Sequence, residues 1–387
     1  MKSSILRNSG IRKSAVVESA GLPDERRQPS ASPLMTGHLR KGRHSAVNAT
    51  RMAWLAVVAS GLLAPCGAFA NPVTVDWVTV GDAGNADDTH GDGYGGVAYE
   101  YRIGKYEITA GQYTEFLNAV ADTDTYLLYN TFMTSNSKGC QIVRSGSSGS
   151  YTYSVASDWA NRPVSMVSWG NAARFANWLT NGQPTGVQDL SATEDGSYYL
   201  NGAISNADLM AVTRKTPAQG GRYYIPTEDE WYKAAYHKND GVTGNYWHYP
   251  TGTDAKPSDH LVTPDGGNNA NFYDHIWTIG SPYWRTEVGE FENSDSAYGT
   301  FDQGGNLFEW TEAVMSPVSR GERGGSFRGS ESGAYDWLSA SVRSSTGASI
   351  DAGALGFRVS EVPEPATLSL LALGSLALLR RRRGASS

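Results

Sequence analysis

The sequence predicts a compact, loop-rich domain built from both strands and helices and packed on aromatic side chains. Three observations carry that expectation. Tyr (21), Trp (11) and Gly (44) are all abundant, a mix that suits irregular aromatic packing better than a helical bundle. Apolar residues recur with period two near residues 73–103 and with helical spacing in three later segments. Between these lie long stretches, 122–162, 181–222 and 237–300, dominated by Gly, Asn, Asp, Ser and Tyr. So much coil must be organised by bound ions, stacked rings or side-chain hydrogen bonds rather than by ladders.

Val73, Val75 and Trp77, then Tyr99, Tyr101 and Ile103, alternate as strand residues do. The loop between them carries Asp82, Asp87, Asp88 and Asp92 among glycines. Its spacing completes no calcium loop and lacks the bidentate acid, so it reads as a solvated acidic loop. Thr109 is placed to cap a helix whose inner face is Tyr113, Phe116, Leu117 and Val120. Ser168 caps a second, with the stripe Ala172, Phe175, Ala176 and Leu179, and Gly182 ends it. Thr227 and Glu230 have capping-box spacing ahead of Trp231, Ala234 and Ala235. Core packing explains all three stripes. His237, His248, His260 and His275 have no local metal-ligand spacing.

The two ends read as addresses. Residues 1–51 form a basic extension, and translation starting at Met35 or Met52 would leave 1–34 outside the protein. Residues 52–70, "MAWLAVVASGLLAPCGAFA", are an apolar run after Arg51 that closes on Ala68-Phe69-Ala70, the pattern of a signal peptide cleaved before Asn71. Pro65 speaks against a lipoprotein at Cys66. The far end, 361–387, holds Val362-Pro363-Glu364-Pro365, an apolar run from Ala366 to Leu379, and four arginines from Arg380 to Arg383. The run of 14 residues is short for a spanning helix, which needs about 20. The arginines would keep the C-terminus cytoplasmic. This order resembles the PEP-CTERM sorting signal of Gram-negative bacteria. The resemblance implies cleavage by an exosortase and delivery to the cell surface or extracellular matrix, with transient anchoring in the inner membrane by 366–379.

Between the ends, residues 52–360 hold 18 Lys/Arg against 34 Asp/Glu. Phosphate backbones would be repelled, which excludes nucleic acid as a partner. Of the two cysteines, Cys66 falls in the signal peptide, leaving Cys140 alone. The mature chain can form neither an internal disulfide nor a two-thiol site.

Six phrases appear in order: "YRIGKYEITAGQYTEFLNAV", "RPVSMVSWGNAARFANWL", "YYIPTEDEWYKAAY", "GGNLFEWTEA", "RGGSFRG" and "GFRV". Together they resemble the formylglycine-generating (sulfatase-modifying-factor) domain across roughly 74–360, and the domain is assigned to 71–360. The resemblance implies an irregular, loop-rich α+β fold of C-type-lectin-like kind, with little regular secondary structure and with stabilising calcium. By the family pattern the carbonyls of Gly304, Gly305 and Leu307 and the side chain of Glu309 would bind Ca²⁺, with Asn306 bracing the turn. Oxygen-only ligation suits that ion. The same residues also fit a tight turn around a buried, satisfied Glu. A second family site would begin at Asn271 and Phe272.

The family oxidises a sulfatase cysteine with Cu(I) held by two thiolates, as soft copper requires. Those thiols would fall at Gly329 and Ala334, so copper is not expected here. Trp310, Ser326, Arg343 and Arg358 match other residues of the family's pocket and form, with Gly329 and Ala334, a vestigial site without a catalytic residue. Arg328 and Glu331 are the polar groups of the remaining cleft. The iron-dependent sulfoxide synthases of the same fold need a helical domain and a His triad for which this chain has no room. The expectation is a non-catalytic binding or structural module whose aromatic loops meet a surface polysaccharide or a protein. A formylglycine-generating or divergent activity at the same cleft is the alternative.

Overall fold

The computed structural model describes residues 72–89, 93–329 and 336–363. The N-terminal extension, the signal peptide, the sorting segment from Glu364 onward, Asp92, Glu331 and Ala334 lie outside the described residues.

The first sheet joins both ends of the domain. Strands β1 (Trp77–Val80), β2 (Tyr101–Gly104), β10 (Ser360–Glu361) and β5 (Tyr223–Tyr224) pair antiparallel in that spatial order. The period-two pattern sends Val80, Tyr101, Ile103 and Tyr224 into the core, where all four are fully buried. Val73 and Val75 lie ahead of the strand. Two glutamines replace the ladder there: Gln183 brackets Val73 through its N–H (2.7 Å) and carbonyl (2.8 Å), and Gln112 donates to the Thr74 carbonyl at 2.8 Å.

Helices α1 (Ala110–Val120), α4 (Trp169–Thr180) and α6 (Glu228–Tyr236) start at the capping residues the sequence marks. Thr109 with Gln112 and Thr227 with Glu230 form reciprocal capping boxes, and Ser168 accepts from the Asn171 N–H. Each such cap contributes about 1 kcal/mol. The apolar stripes of α1 and α4 meet ring against ring. Phe116 lies 5.2 Å from Phe175 and 5.1 Å from Trp178, and Phe357 lies 5.4 Å from Phe175. Edge-on pairs of this kind add to the area they bury.

The first two long stretches contain only short elements: α2 (Phe132–Ser135), the hairpin β3 (Val143–Ser145) with β4 (Thr152–Ser154), α3 (Ser157–Ala160) and α5 (Asn206–Ala211). Residues 237–300 contain neither helix nor strand. Side-chain hydrogen bonds organise them. Buried Asp265 accepts from the N–H groups of Gly267 (3.0 Å) and Asn293 (3.1 Å), the Ser294 hydroxyl (2.7 Å) and the Asn269 amide. These donors outweigh burial and hold its carboxyl below the usual range.

The acidic loop differs from its expected solvated state. Asp88 is buried and accepts from the Tyr232 hydroxyl at 2.6 Å, while Asp87 accepts from the Gly96 N–H at 2.8 Å. Asp88 is drawn in by a hydroxyl 144 residues away in sequence, while Asp87 stays exposed on its local backbone donor.

The second sheet has the order β8 (Ser344–Thr346), β7 (Ser319–Arg323), β6 (Phe308–Ser316), β9 (Leu355–Gly356), with β6 and β9 parallel. It sets the segments 304–310 and 323–329 side by side.

Candidate functional site

Glu309 stands opposite Arg323, and Trp310 opposite Glu322, where β6 and β7 pair. Beyond the strands the two segments stay tied. The Gly305 N–H donates to the Gly324 carbonyl, and the Phe327 N–H donates to the Asn306 carbonyl, both at 2.8 Å. Gly305 has φ +90, and a side chain there would collide with the Asn271 carbonyl. Asn306, itself left-handed at φ +50, braces the turn with its amide. Its oxygen accepts from Asn271 at 2.8 Å and from the Thr286 N–H and hydroxyl at 3.1 Å each, and its nitrogen donates to Glu107 at 3.3 Å.

Glu309 is fully buried and satisfied. Arg358 donates to it from Nε (2.6 Å) and Nη2 (2.7 Å), and the Trp231 indole N–H donates at 2.9 Å. Arg358 and Trp231 thus occupy both oxygens of this carboxylate. Asn271 and Phe272 join the same network. Asn271 pairs with the Gly305 turn, its amide donates to Asn306 and to the Trp284 carbonyl (3.1 Å), and the Phe272 carbonyl takes the Thr278 hydroxyl at 2.9 Å. The two segments form one hydrogen-bonded joint. Around it lie two further acids, Glu107 buried and Asp302 half-buried. Glu107 has an oxygen, Oε1, with no hydrogen-bond partner, and Asp302 accepts from the Gly289 N–H at 2.7 Å. Burial pushes Glu107 well above the usual carboxylate range and Asp302 up to about 6. Sequence reasoning missed both acids: Glu107 lies within the first quoted phrase but nothing local marks it as buried, and Asp302 lies outside all six phrases.

Gly329 closes the turn. Ser326 through Gly329 is held by the Gly329 N–H donating to the Ser326 carbonyl at 2.8 Å. Gly329 sits at φ +52, and a Cβ there would overlap the backbone of Tyr273 at its oxygen and nitrogen. Trp310, Ser326 and Arg358 are buried rather than cleft-lining. The Trp310 indole donates to the Val167 carbonyl at 3.0 Å, and Arg358 spends its other N–H groups on the carbonyls of Gly104 and Phe301, both at 2.9 Å. Arg343 lies apart from them, bonded to Glu228 and the Tyr94 hydroxyl. Cys140 is buried against the Ser165 carbonyl, and burial raises its thiol.

Beside the turn, four rings form a half-open cluster. Trp277 lies 4.6 Å from Tyr273, 5.0 Å from Trp284 and 6.3 Å from Phe327. The Lys138 ammonium sits over three of these rings at 5.2–5.9 Å. Arg328 is exposed at its edge. The rings were legible in the sequence as aromatics; their convergence with a lysine about 140 residues away was not.

A mixed α and β fold with little regular structure, stitched through Gly-rich turns at 304–307 and 323–329, defines the class. The model of the sulfatase-modifying factor enzyme 1-like domain matches residues 94–362, and the chain belongs to that family. The PEP-CTERM protein-sorting motif matches residues 361–383, which implies an exported, surface-sorted protein processed by an exosortase. No curated protein matches the chain. Among solved structures the chain is similar to Treponema denticola variable protein 1 (20% identity, 75% of this chain and 96% of that one, TM-score 0.46). It is also similar to CarF (19%, 75% and 99%, 0.42) and to PvdO from Pseudomonas aeruginosa (17%, 75% and 93%, 0.38).

Proposed function

We propose that this chain is a non-catalytic binding module of the cell surface or extracellular matrix, held in the inner membrane by residues 366–379 before processing. The observation that carries the reading is Gly329. A left-handed residue whose side-chain direction is filled by the Tyr273 backbone leaves no volume for a thiolate. Besides Cys66 the chain has Cys140, which is buried and whose thiol burial pushes up. Two-thiol copper chemistry therefore has no ligands in one chain. What the same corner does offer is half-exposed rings with a cation, at Tyr273, Trp277, Trp284 and Lys138, backed by the buried Phe327. Such rings suit the C–H faces of a saccharide or a protein side chain.

Calcium belongs to this proposal at the 304–307 turn, with Glu107 and Asp302 as further candidate ligands. Glu107, Asp302 and Glu309 set three carboxylates around one guanidinium, with Glu107 Oε1 unpartnered. A hard divalent ion held by Glu107, Asp302 and carbonyls of the 304–307 turn would balance that surplus.

The deciding experiment is a pair of assays on the mature protein. Incubation with Cu(I), oxygen and a sulfatase-derived cysteine peptide is expected to give no formylglycine, and an array of surface polysaccharides is expected to give a ligand whose binding is lost in Trp277→Ala. Turnover of the peptide would end the binding-module reading.

A further inference from the structure

The outward face of the first sheet forms one continuous set of side chains. Register places Thr79, Arg102, Glu361 and Tyr223 in a row across the four strands, with Trp77 two residues along on the same face. Trp77 and Tyr223 reach over the sheet and stack, centroids 5.6 Å apart at 20°. Arg102 lies over the Trp77 ring at 5.4 Å, and Arg222 over the Tyr223 ring at 4.9 Å. The result is a four-layer stack of Arg, Trp, Tyr and Arg. Both arginines also close on Glu361, Arg222 at 2.8 Å, yet their side chains remain 41% and 58% exposed. The Glu361 side chain is only 4% exposed. What this face offers to the outside is two aromatic edges and a net positive charge, on a domain that is otherwise strongly acidic.

The sorting segment leaves from the middle of this face. Glu361 ends a central strand, and the Val362 N–H is still bonded to the Arg222 carbonyl at 3.2 Å. The apolar run begins at Ala366, four residues later. Four residues span at most about 14 Å. With the run in a bilayer, as the proposed anchoring requires, this face is held within reach of the headgroups. Headgroup and interfacial layers are together about 10–15 Å thick across both leaflets. Trp and Tyr favour that layer, and each Arg near an anionic surface adds about 1 kcal/mol. The acidic remainder of the domain is repelled from the same surface, which fixes the orientation.

We propose that the Arg102–Trp77–Tyr223–Arg222 face is a membrane-docking surface that seats the domain on anionic lipid while its tail is inserted. The inference rests on the anchoring part of the proposed function and not on its binding-module part. The test uses the full chain with Cys66→Ser and a fluorophore at Thr79→Cys, or at Ser148→Cys on the exposed β3–β4 loop as control. Each is reconstituted into vesicles of phosphatidylethanolamine and phosphatidylglycerol, or of phosphatidylcholine alone, and quenched with acrylamide. The label at 79 should be shielded severalfold relative to the label at 148 in phosphatidylglycerol vesicles. The shielding should fall in phosphatidylcholine, in 0.5 M NaCl and in Arg102→Gln/Arg222→Gln. Equal quenching at 79 and 148 overturns the proposal, and so does shielding that ignores lipid charge and salt. A chain that fails to float with either vesicle sinks the tail's insertion and the docking with it, while leaving the polysaccharide and copper assays untouched. Shielding that needs added inner-membrane proteins assigns the face to a protein partner and overturns the lipid reading.

Discussion

Arg358 grips Glu309 through two parallel hydrogen bonds, 2.6 and 2.7 Å long, where neither side chain is open to solvent. The pair joins the "GFRV" phrase to the "GGNLFEW" phrase and ties both to α6 through the Trp231 indole. Removing one partner leaves the other charge buried alone, which costs about 3–5 kcal/mol. Arg358→Met should lose that much in a denaturant titration, and Arg358→Met/Glu309→Leu should recover most of it. A single variant as stable as the parent would show the pair to be dispensable.

Gly329→Cys should not restore oxidation chemistry. A non-glycine residue in the left-handed region costs about 1–2 kcal/mol, and here the Tyr273 backbone must also move. The expected outcome is a lower melting midpoint with no formylglycine formed under copper and oxygen. Arg328→Cys, one residue earlier and exposed, should lower the midpoint by less. A stable, active Gly329→Cys protein would show that the turn has room for the thiol.

Much of the architecture was legible in local patterns. Thr109, Ser168 and Thr227 cap the helices at the expected residues, because a cap is a contact within three residues. The strand residues Tyr101 and Ile103 were legible through their alternation. Partners distant in sequence were not. Nothing local to Glu309 announces Arg358 or Trp231, so the turn read first as a calcium loop, with a satisfied buried acid as the alternative. Burial of Asp88 and the orphaned Glu107 oxygen depend on Tyr232 and Asn306, which only folding brings near. The tail's exit beside Arg102 and Arg222 was likewise invisible, since β10 supplies just two residues to the sheet.

A chelator should lower the melting midpoint of the mature domain, and excess calcium should restore it. A ligand that binds only the folded state at a hundred times its Kd adds about 2.7 kcal/mol. Glu107→Gln should shrink that difference, while Glu309→Gln should destabilise the protein with and without calcium alike. Equal midpoints in chelator and in calcium would remove the ion from this joint.

Two acids share Arg214 unequally. Its guanidinium lies 2.9 and 3.2 Å from Glu230 but 3.5 Å from Glu312. Burial opposes the charge on both. At Glu230 the arginine outweighs it and holds the carboxyl low, whereas Glu312 is pushed up to about 7, with the Tyr198 hydroxyl donating to it. The folded protein thus binds the Glu312 proton more tightly than the unfolded chain, whose carboxyl titrates near 4.5. Between those values the native state carries the extra proton, so stability falls as pH rises from about 4.5 to about 7, and the full cost persists above 7. Glu312→Gln should flatten that slope and raise stability at pH 8 by on the order of 2 kcal/mol. Denaturant midpoints at pH 5, 6, 7 and 8 decide it: parallel slopes in parent and variant would place the titration elsewhere.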